Sequence, residues 1–409
     1  MIQRNRNCRA CKGEELTKIL DLGETALANA FLAREQFLRE RTYPLQVYFC
    51  NRCSLVQLID VVAPEILFSH YAYFTSASSK TLPKHFMTLA KDLAGDPRNQ
   101  FVVEIGSNDG VLLSTLKGYG IGILGVEPAV NVAQVANSRG VETINDFFTE
   151  SLARQIVKEK GRADVVIANN VVAHIDDLED LIRGVGVLLK DGGRFILEVH
   201  HVADLIANKG FDQIYHEHLS YFSLTVLWKL FQRFDMNVFD VKIIPIHGQS
   251  LRVYVGRRQV FSESSRSVQE LLEEEERRKL RDVATYLHFA SEVESIKRSL
   301  VDLLRELKSE NRRIIGYGAP AKGTTLLNYC GIGPETLDYI IDTTPSKQNL
   351  FTPGTHIPVY PPEKLKEDRM DYLLLLAWNY ADEIFKKEMQ LREQGIKFIV
   401  PIPAPRIVS

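Results

Sequence analysis

The chain has 409 residues, 45% of them hydrophobic and 25% charged, with a formal net charge of -2. This is the composition of a globular protein of two to three domains, and the near-neutral balance argues against a surface that wraps nucleic acid. No apolar run reaches about 18 residues, and the first 20 are charged without an apolar centre, so neither a membrane span nor a signal peptide is expected.

Residues 1–58 carry strand-like runs at 45–49 and 55–58 and two Cys-x-x-Cys turns, Cys8 to Cys11 and Cys50 to Cys53. Each turn can offer two thiolates to one ion, and Zn²⁺ prefers four soft ligands in a tetrahedron. A structural zinc site is expected, closed to substrate and serving folding. Four of the five cysteines are paired in this way, which fits a reducing cytoplasm better than a disulfide scaffold. Cys330 is expected only to pack.

Residues 59–255 alternate apolar strands with helical patterns. Runs at 101–105, 123–126, 164–168 and 194–199 read as buried strands of a parallel sheet, with 251–255 at its edge. The first strand runs into Glu104-Ile105-Gly106-Ser107-Asn108-Asp109-Gly110. Gly106 and Gly110 allow positive φ and the close approach of a ligand. Doubly wound sheets bind ligands at the carboxyl ends of such strands. The two glycines do not form Gly-x-Gly-x-x-Gly, and Asp109 would repel phosphate. S-adenosylmethionine carries a sulfonium and an ammonium, so acidic loop residues suit it. Glu127, followed by Pro128, ends the next strand, where a carboxylate can accept from both ribose hydroxyls. Asn145, Asp146 and Phe147 can flank the adenine, and Asn169 and Asn170 lie beside the methionine part. This set resembles the class I methyltransferases.

Segment 211–222 gathers Asp212, Tyr215, His216, Glu217, His218 and Tyr221 just after a strand of the same sheet. In an extended run His216 and His218 share a face opposite Glu217. Such a cluster can hold a metal, or supply a base that Glu217 orients.

Residues 256–312 are rich in Glu, Arg and Leu, with apolar residues at helical spacing from Val283 to Leu304. They read as one helix, or two with a break near Arg281, capped at Ser262 or Ser264 and forming a solvated connector. Residues 313–409 return to βα alternation, with strands at 314–317, 337–342 and 372–377. Tyr317-Gly318-Ala319-Pro320-Ala321-Lys322-Gly323 reads as strand, turn and helix start, a place for phosphate with Lys322 adding charge. Asp342, about 20 positions on, keeps a nicotinamide-linked oxidoreductase reading open, although Pro320 departs from the dinucleotide pattern.

The cysteine pairs, the 104–110 loop, Tyr215-His216-Glu217-His218-Leu219 and the 317–323 turn together resemble the sugar C-methyltransferase family over nearly the whole chain. The resemblance implies a class I methyltransferase α/β fold with a doubly wound sheet at 59–255. A small zinc-binding domain (1–58) precedes it, and a helical connector (256–312) leads to a C-terminal Rossmann-like domain (313–409). It implies S-adenosylmethionine and structural Zn²⁺ as cofactors. The methyl would go to a ring carbon, C3 first and C5 second, of a nucleotide-linked 4-keto-deoxyhexose, with thymidine diphosphate the expected nucleotide. The family's pattern makes His218 the base, Tyr215 the partner of the enolate oxygen and Glu217 a positioning group. His174 becomes a further active-site histidine, and Tyr71 or Tyr73 reaches the same pocket. Tyr221, His247 and Lys322 are expected to touch substrate. A non-catalytic S-adenosylmethionine-binding scaffold is the remaining alternative. No nucleic-acid or membrane partner is expected, and the protein is expected to be a cytoplasmic monomer or weak oligomer.

Overall fold

Alternation of side chains builds the central sheet. In the strand Phe101–Ile105, Val103 and Ile105 face one side and Val102 the other, and all three are buried. Val103 joins Val166, Leu197, Ile156 and Val185 in one core, while Val102 joins Val165, Ile196, Leu89 and Leu112 in another. Helices therefore cover both faces. The structure is a computed structural model that describes residues 2–69, 74–78, 81–246 and 249–409. Tyr71, Tyr73 and His247 lie outside the described residues.

Among the described residues the central sheet has seven strands. Their order is Met236–Ile244, Ser250–Arg257, Leu189–His200, Ala163–Asn169, Phe101–Ile105, Gly122–Val126 and Thr143–Ile144. The last five are mutually parallel, and Ser250–Arg257 runs antiparallel to both of its neighbours, Leu189–His200 and Met236–Ile244. The strand over 251–255 is therefore internal. Met236–Ile244, exposed at Lys242 and Ile243, holds the edge that the sequence reading gave to 251–255. Strand order reverses between Phe101–Ile105 and Ala163–Asn169, which opens a crevice at their carboxyl ends.

An N-terminal antiparallel sheet joins Leu16–Ala26, Thr42–Cys50 and Val56–Leu58, and its outer strand is Ser220–Tyr221. The chain thus returns from the central domain to complete this sheet directly after His218. The C-terminal sheet runs Val359–Tyr360, Ile340–Ile341, Ile314–Tyr317, Tyr372–Leu375, Lys397–Val400 and Arg406–Val408, with only the last strand antiparallel. The strand expected over 337–342 is confined to Ile340–Ile341.

Two helices, Arg266–Arg277 and Val283–Ser309, fill the connecting region with a break at 278–282. Ser265, rather than Ser262 or Ser264, stands at the first N-terminus, and the Asp282 side chain caps the second through Ala284 N. The second helix is not a solvated connector. Tyr286, Phe289, Val293, Ile296 and Leu300 are buried in a core shared with Leu20 of the N-terminal sheet and Leu326 of the C-terminal part. Each such side chain contributes about 1.5–3 kcal/mol by leaving water. Leu287, at an apolar helical position in the sequence, is exposed. Among the described residues no helix is long and apolar enough to cross a membrane.

Candidate active site and zinc centre

One cavity of about 1570 Å³ lies where the three sheets meet. Its cofactor end is the crevice of the central sheet. Glu104, Gly106, Ser107 and Asn108 line it from the end of Phe101–Ile105, Glu127 and Pro128 from the end of Gly122–Val126, Phe147 from the loop after Thr143–Ile144, and Asn169 and Asn170 from the end of Ala163–Asn169. Gly106 and Gly110 have φ of +67° and +77°. A Cβ on Gly106 would meet Val171 Cγ2 at 2.8 Å, so the tight turn depends on glycine. Gly106→Ala is expected to cost about 1–2 kcal/mol from the left-handed backbone alone. Thermal melts with and without S-adenosylhomocysteine should show a lower Tm and weaker ligand stabilisation.

The buried polar atoms here fit a cation. Glu104 Oε1 accepts from Asn169 Nδ2 at 3.2 Å. Glu104 Oε2, Ser107 Oγ, Asn169 Oδ1 and Asn170 Oδ1 are buried without a partner among the described residues. Burial pushes the Glu104 carboxyl up to about 8. An ammonium group supplies N–H donors and restores the charged carboxylate, so the amino-acid end of S-adenosylmethionine suits this end of the cavity. Each Glu127 oxygen takes one backbone N–H, from Ala129 and from Asn108, both at 2.9 Å. A carboxylate has further lone pairs, and Glu127 faces the cavity, so ribose hydroxyls can add to this set.

Four expected cofactor residues stand outside the wall formed by the described residues. Asp109 turns its carboxylate to Ser76 and to Arg139, 3.0 Å away, because a fully buried charge requires a partner. Gly110 begins the helix Val111–Gly118 and packs on Val141. Asn145 ties its amide to the carbonyls of Glu127 and Pro128, both at 2.9 Å, and so shapes the strand end. Asp146 is exposed and accepts from Phe147 N.

Farther in, His218, His174 and Tyr215 share the wall. The His218 ring lies 5.0 Å from His174 and 4.1 Å from Tyr215 between centroids. His218 Nδ1 is 2.8 Å from Gln213 O. A carbonyl only accepts, so Nδ1 carries the proton and the lone pair is on Nε2. Burial, and then nearby His200, hold His174 down to about 4, so it is neutral at pH 7. His200 also lines the cavity, 5.5 Å from the His218 ring. Sequence reasoning passed over it, although its place at the carboxyl end of a sheet strand was the available signal.

Segment 215–218 is a turn, not an extended run: His218 N donates to Tyr215 O at 2.8 Å. His216 and His218 consequently part company. His216 is buried against Tyr43 and lies 3.3 Å from Pro44 O. Glu217 is outside the described wall and accepts from Asn29 Nδ2 at 2.7 Å. Tyr221 lines the cavity and Lys322 stands across it in the C-terminal wall. Lys322 Nζ lies 4.1 Å from the Trp378 ring centroid and 4.0 Å from Asp212 Oδ2, and burial brings its amine down to about 8. Asp342 uses both carboxylate oxygens on backbone N–H groups, at Ala319 in the 317–323 turn and at Thr344 in its own loop.

The four sulfurs of Cys8, Cys11, Cys50 and Cys53 lie within 4.8 Å of one another, with two pairs at 3.5 Å. Tetrahedral zinc with Zn–S near 2.3 Å spaces sulfurs by about 3.8 Å, so the donor set fits. Hydrogen bonds from Cys50 and then Cys53 hold Cys8 down to about 2, while Cys53 is pushed up by Cys50 and Cys8. A divalent cation lets all four ionise together.

Three family profiles cover this chain. A domain described as zinc binding matches residues 8–68, a methyltransferase domain 79–241, and a C-methyltransferase C-terminal domain 245–403. The C-methyltransferase NovU of Streptomyces niveus is 38% identical over 405 residues, covering 98% of this chain and 96% of that protein. A ubiquinone biosynthesis O-methyltransferase of Escherichia coli is 26% identical over 102 residues, 24% of this chain and 42% of its own. The magnesium protoporphyrin IX methyltransferase of Synechocystis, solved with S-adenosylmethionine, has a TM-score of 0.33 at 13% identity, over 43% of this chain and 79% of that one. With 38% identity to NovU over nearly the full length of both chains, and with the zinc-binding and C-methyltransferase profiles matched, the chain belongs to the S-adenosylmethionine-dependent C-methyltransferase family.

Proposed function

We propose that this enzyme methylates a ring carbon, C3 in the first place, of a nucleotide-linked 4-keto-deoxyhexose. The observation that carries the reading is His218: its tautomer is set by Gln213 O, and it stands in one cavity with the cofactor crevice and the Lys322 wall. Carbon methylation needs an acidified C–H, and a neighbouring ketone supplies the acidity. The size of the cavity suits two large ligands, a cofactor and a nucleotide sugar.

When bound, S-adenosylmethionine supplies a methyl group on a positively charged sulfur. His218 Nε2 takes the proton α to the ketone, and the C–H electron pair moves into the enolate. The Tyr215 hydroxyl donates to the oxygen that gains charge. His174, neutral at pH 7, adds no second cation beside the base, so His218 pays no repulsion when it becomes imidazolium. The enolate carbon would then take up the methyl group that S-adenosylmethionine, held by Glu104, Glu127 and Asn169, would supply, and the ketone would re-form. Lys322 offers a cation to the substrate's diphosphate, and Tyr221 faces the same cavity from the N-terminal sheet.

The test is a set of incubations with methyl-labelled S-adenosylmethionine and keto- and hydroxy-hexose nucleotides, read by mass spectrometry. A gain of one methylene on a keto-sugar, with no loss of the new methyl to base, is the expected result. Methylation of an oxygen or nitrogen, or no product from any 4-keto-sugar, would overturn the reading.

A further inference from the structure

The residue inside the first zinc turn carries an unassigned task. Arg9 lies between the ligands Cys8 and Cys11, and its side chain is 1% exposed. Its guanidinium does not reach solvent. Nη1 donates to Leu219 O, Nη2 donates to Leu58 O at 2.7 Å, and Nε and Nη2 reach Asp176 Oδ1 at 3.2 and 3.1 Å. Its backbone N–H is also held, by Gln57 Oε1 at 3.1 Å.

Each of those partners belongs to the active-site wall or is bonded to it. Leu219 directly follows His218, and its N–H donates to Ala173 O, beside His174, at 2.8 Å. Leu58 N donates to Leu219 O at 3.0 Å. Asp176 lines the cavity. One planar group therefore holds the backbone after the base, links through Leu219 to the residue before the second histidine, and is itself fixed at its root by a metal turn.

We infer that Arg9 is a positioning residue for His218 and His174, and that the zinc site is the anchor from which it acts. The inference rests on the reading of His218 as the base. A loop before a two-residue strand has little stiffness of its own. A zinc-fixed guanidinium supplies a rigid strut, because its forked donors satisfy two carbonyls and a carboxylate in a set geometry. The zinc centre then contributes to turnover without touching any reactant.

The experiment uses the full zinc-loaded enzyme. Arg9→Ala and Arg9→Lys are compared with wild type for zinc content, S-adenosylhomocysteine affinity, hydrogen exchange of the 56–58 and 219–221 amides, and steady-state kinetics. Arg9→Ala is expected to keep stoichiometric zinc and to bind S-adenosylhomocysteine within about twofold of wild type. Its exchange at 219–221 should rise, and kcat should fall about 10- to 100-fold, with KM for the sugar nucleotide little changed, as expected for a misplaced base. Added guanidinium ion or Arg9→Lys should recover part of kcat. Unchanged exchange and kcat would overturn the inference. So would a joint fall of zinc content, ligand affinity and kcat without rescue, which marks a merely structural role. If Arg9→Ala does not fold, Asp176→Asn decides: faster exchange at 219–221 supports the strut and unaltered exchange refutes it. Wild-type enzyme inactive on every keto-sugar nucleotide would sink the substrate reading, while the exchange measurement would still decide the strut.

Discussion

His218→Ala is expected to lower kcat by about 10²- to 10⁴-fold, the usual contribution of a positioned general base. Affinity for S-adenosylhomocysteine should stay within about twofold, because the cofactor wall is built from other strands. Removing the imidazole leaves Tyr215 and His174 in place, yet neither can replace it. Tyr215 offers a hydroxyl that donates, the opposite of the role required. His174 is neutral and so nominally able to accept a proton, but burial holds it down to about 4, which makes it a poor base. Rapid-quench assays of methyl transfer, with calorimetry of S-adenosylhomocysteine binding, separate the two effects. A variant that retained most of its kcat would remove His218 from the chemistry.

The second large effect is on stability. Stripping zinc with a strong chelator, or Cys50→Ser, is expected to unfold the N-terminal sheet. Structural zinc sites bind with about 10–16 kcal/mol in small peptides, comparable to the whole stability of a domain at about 5–15 kcal/mol. Cys50 ends the strand Thr42–Cys50, and Cys53 follows in the turn to Val56–Leu58, the strand that pairs with Ser220–Tyr221. Loss of the ion should therefore reach the cavity wall as well as the N-terminus. Zinc content, Tm and far-ultraviolet dichroism before and after chelation provide the check. Unchanged Tm in a metal-free sample would show that the four thiols stabilise the sheet without an ion.

The chemistry that was legible in the sequence is local in the chain. Two Cys-x-x-Cys turns are local ligand pairs, and only their closing together needs the fold. The parallel strands were legible because a strand buried on both faces is apolar throughout, as in Val165, Val166 and Ile167. The place of Glu127 on the cavity wall was legible because a strand's carboxyl end points at the crevice wherever the sheet is doubly wound.

Other readings failed for a physical reason. Asp109 is acidic and next to Gly110, as a cofactor contact might be, but Arg139 and Ser76 come to it from elsewhere in the chain and take its charge. The sharing of one face by His216 and His218 assumed an extended backbone, and the bond from His218 N to Tyr215 O turns the chain instead. The long helix looked solvated because its sequence is rich in charge, yet its apolar stripe faces two other parts of the molecule at once.

By itself, then, the amino-acid order determined most of the elements, the paired cysteines and the chemical class of the cofactor loop, since each depends on neighbours a few residues apart. Tertiary structure alone decided which polar groups face the cavity, which are consumed by partners and what bonds the backbone beside His218. Arg9 and Leu219 are 210 positions apart, and only folding brings a guanidinium to that carbonyl, where burial makes an unpaired polar group too costly to leave.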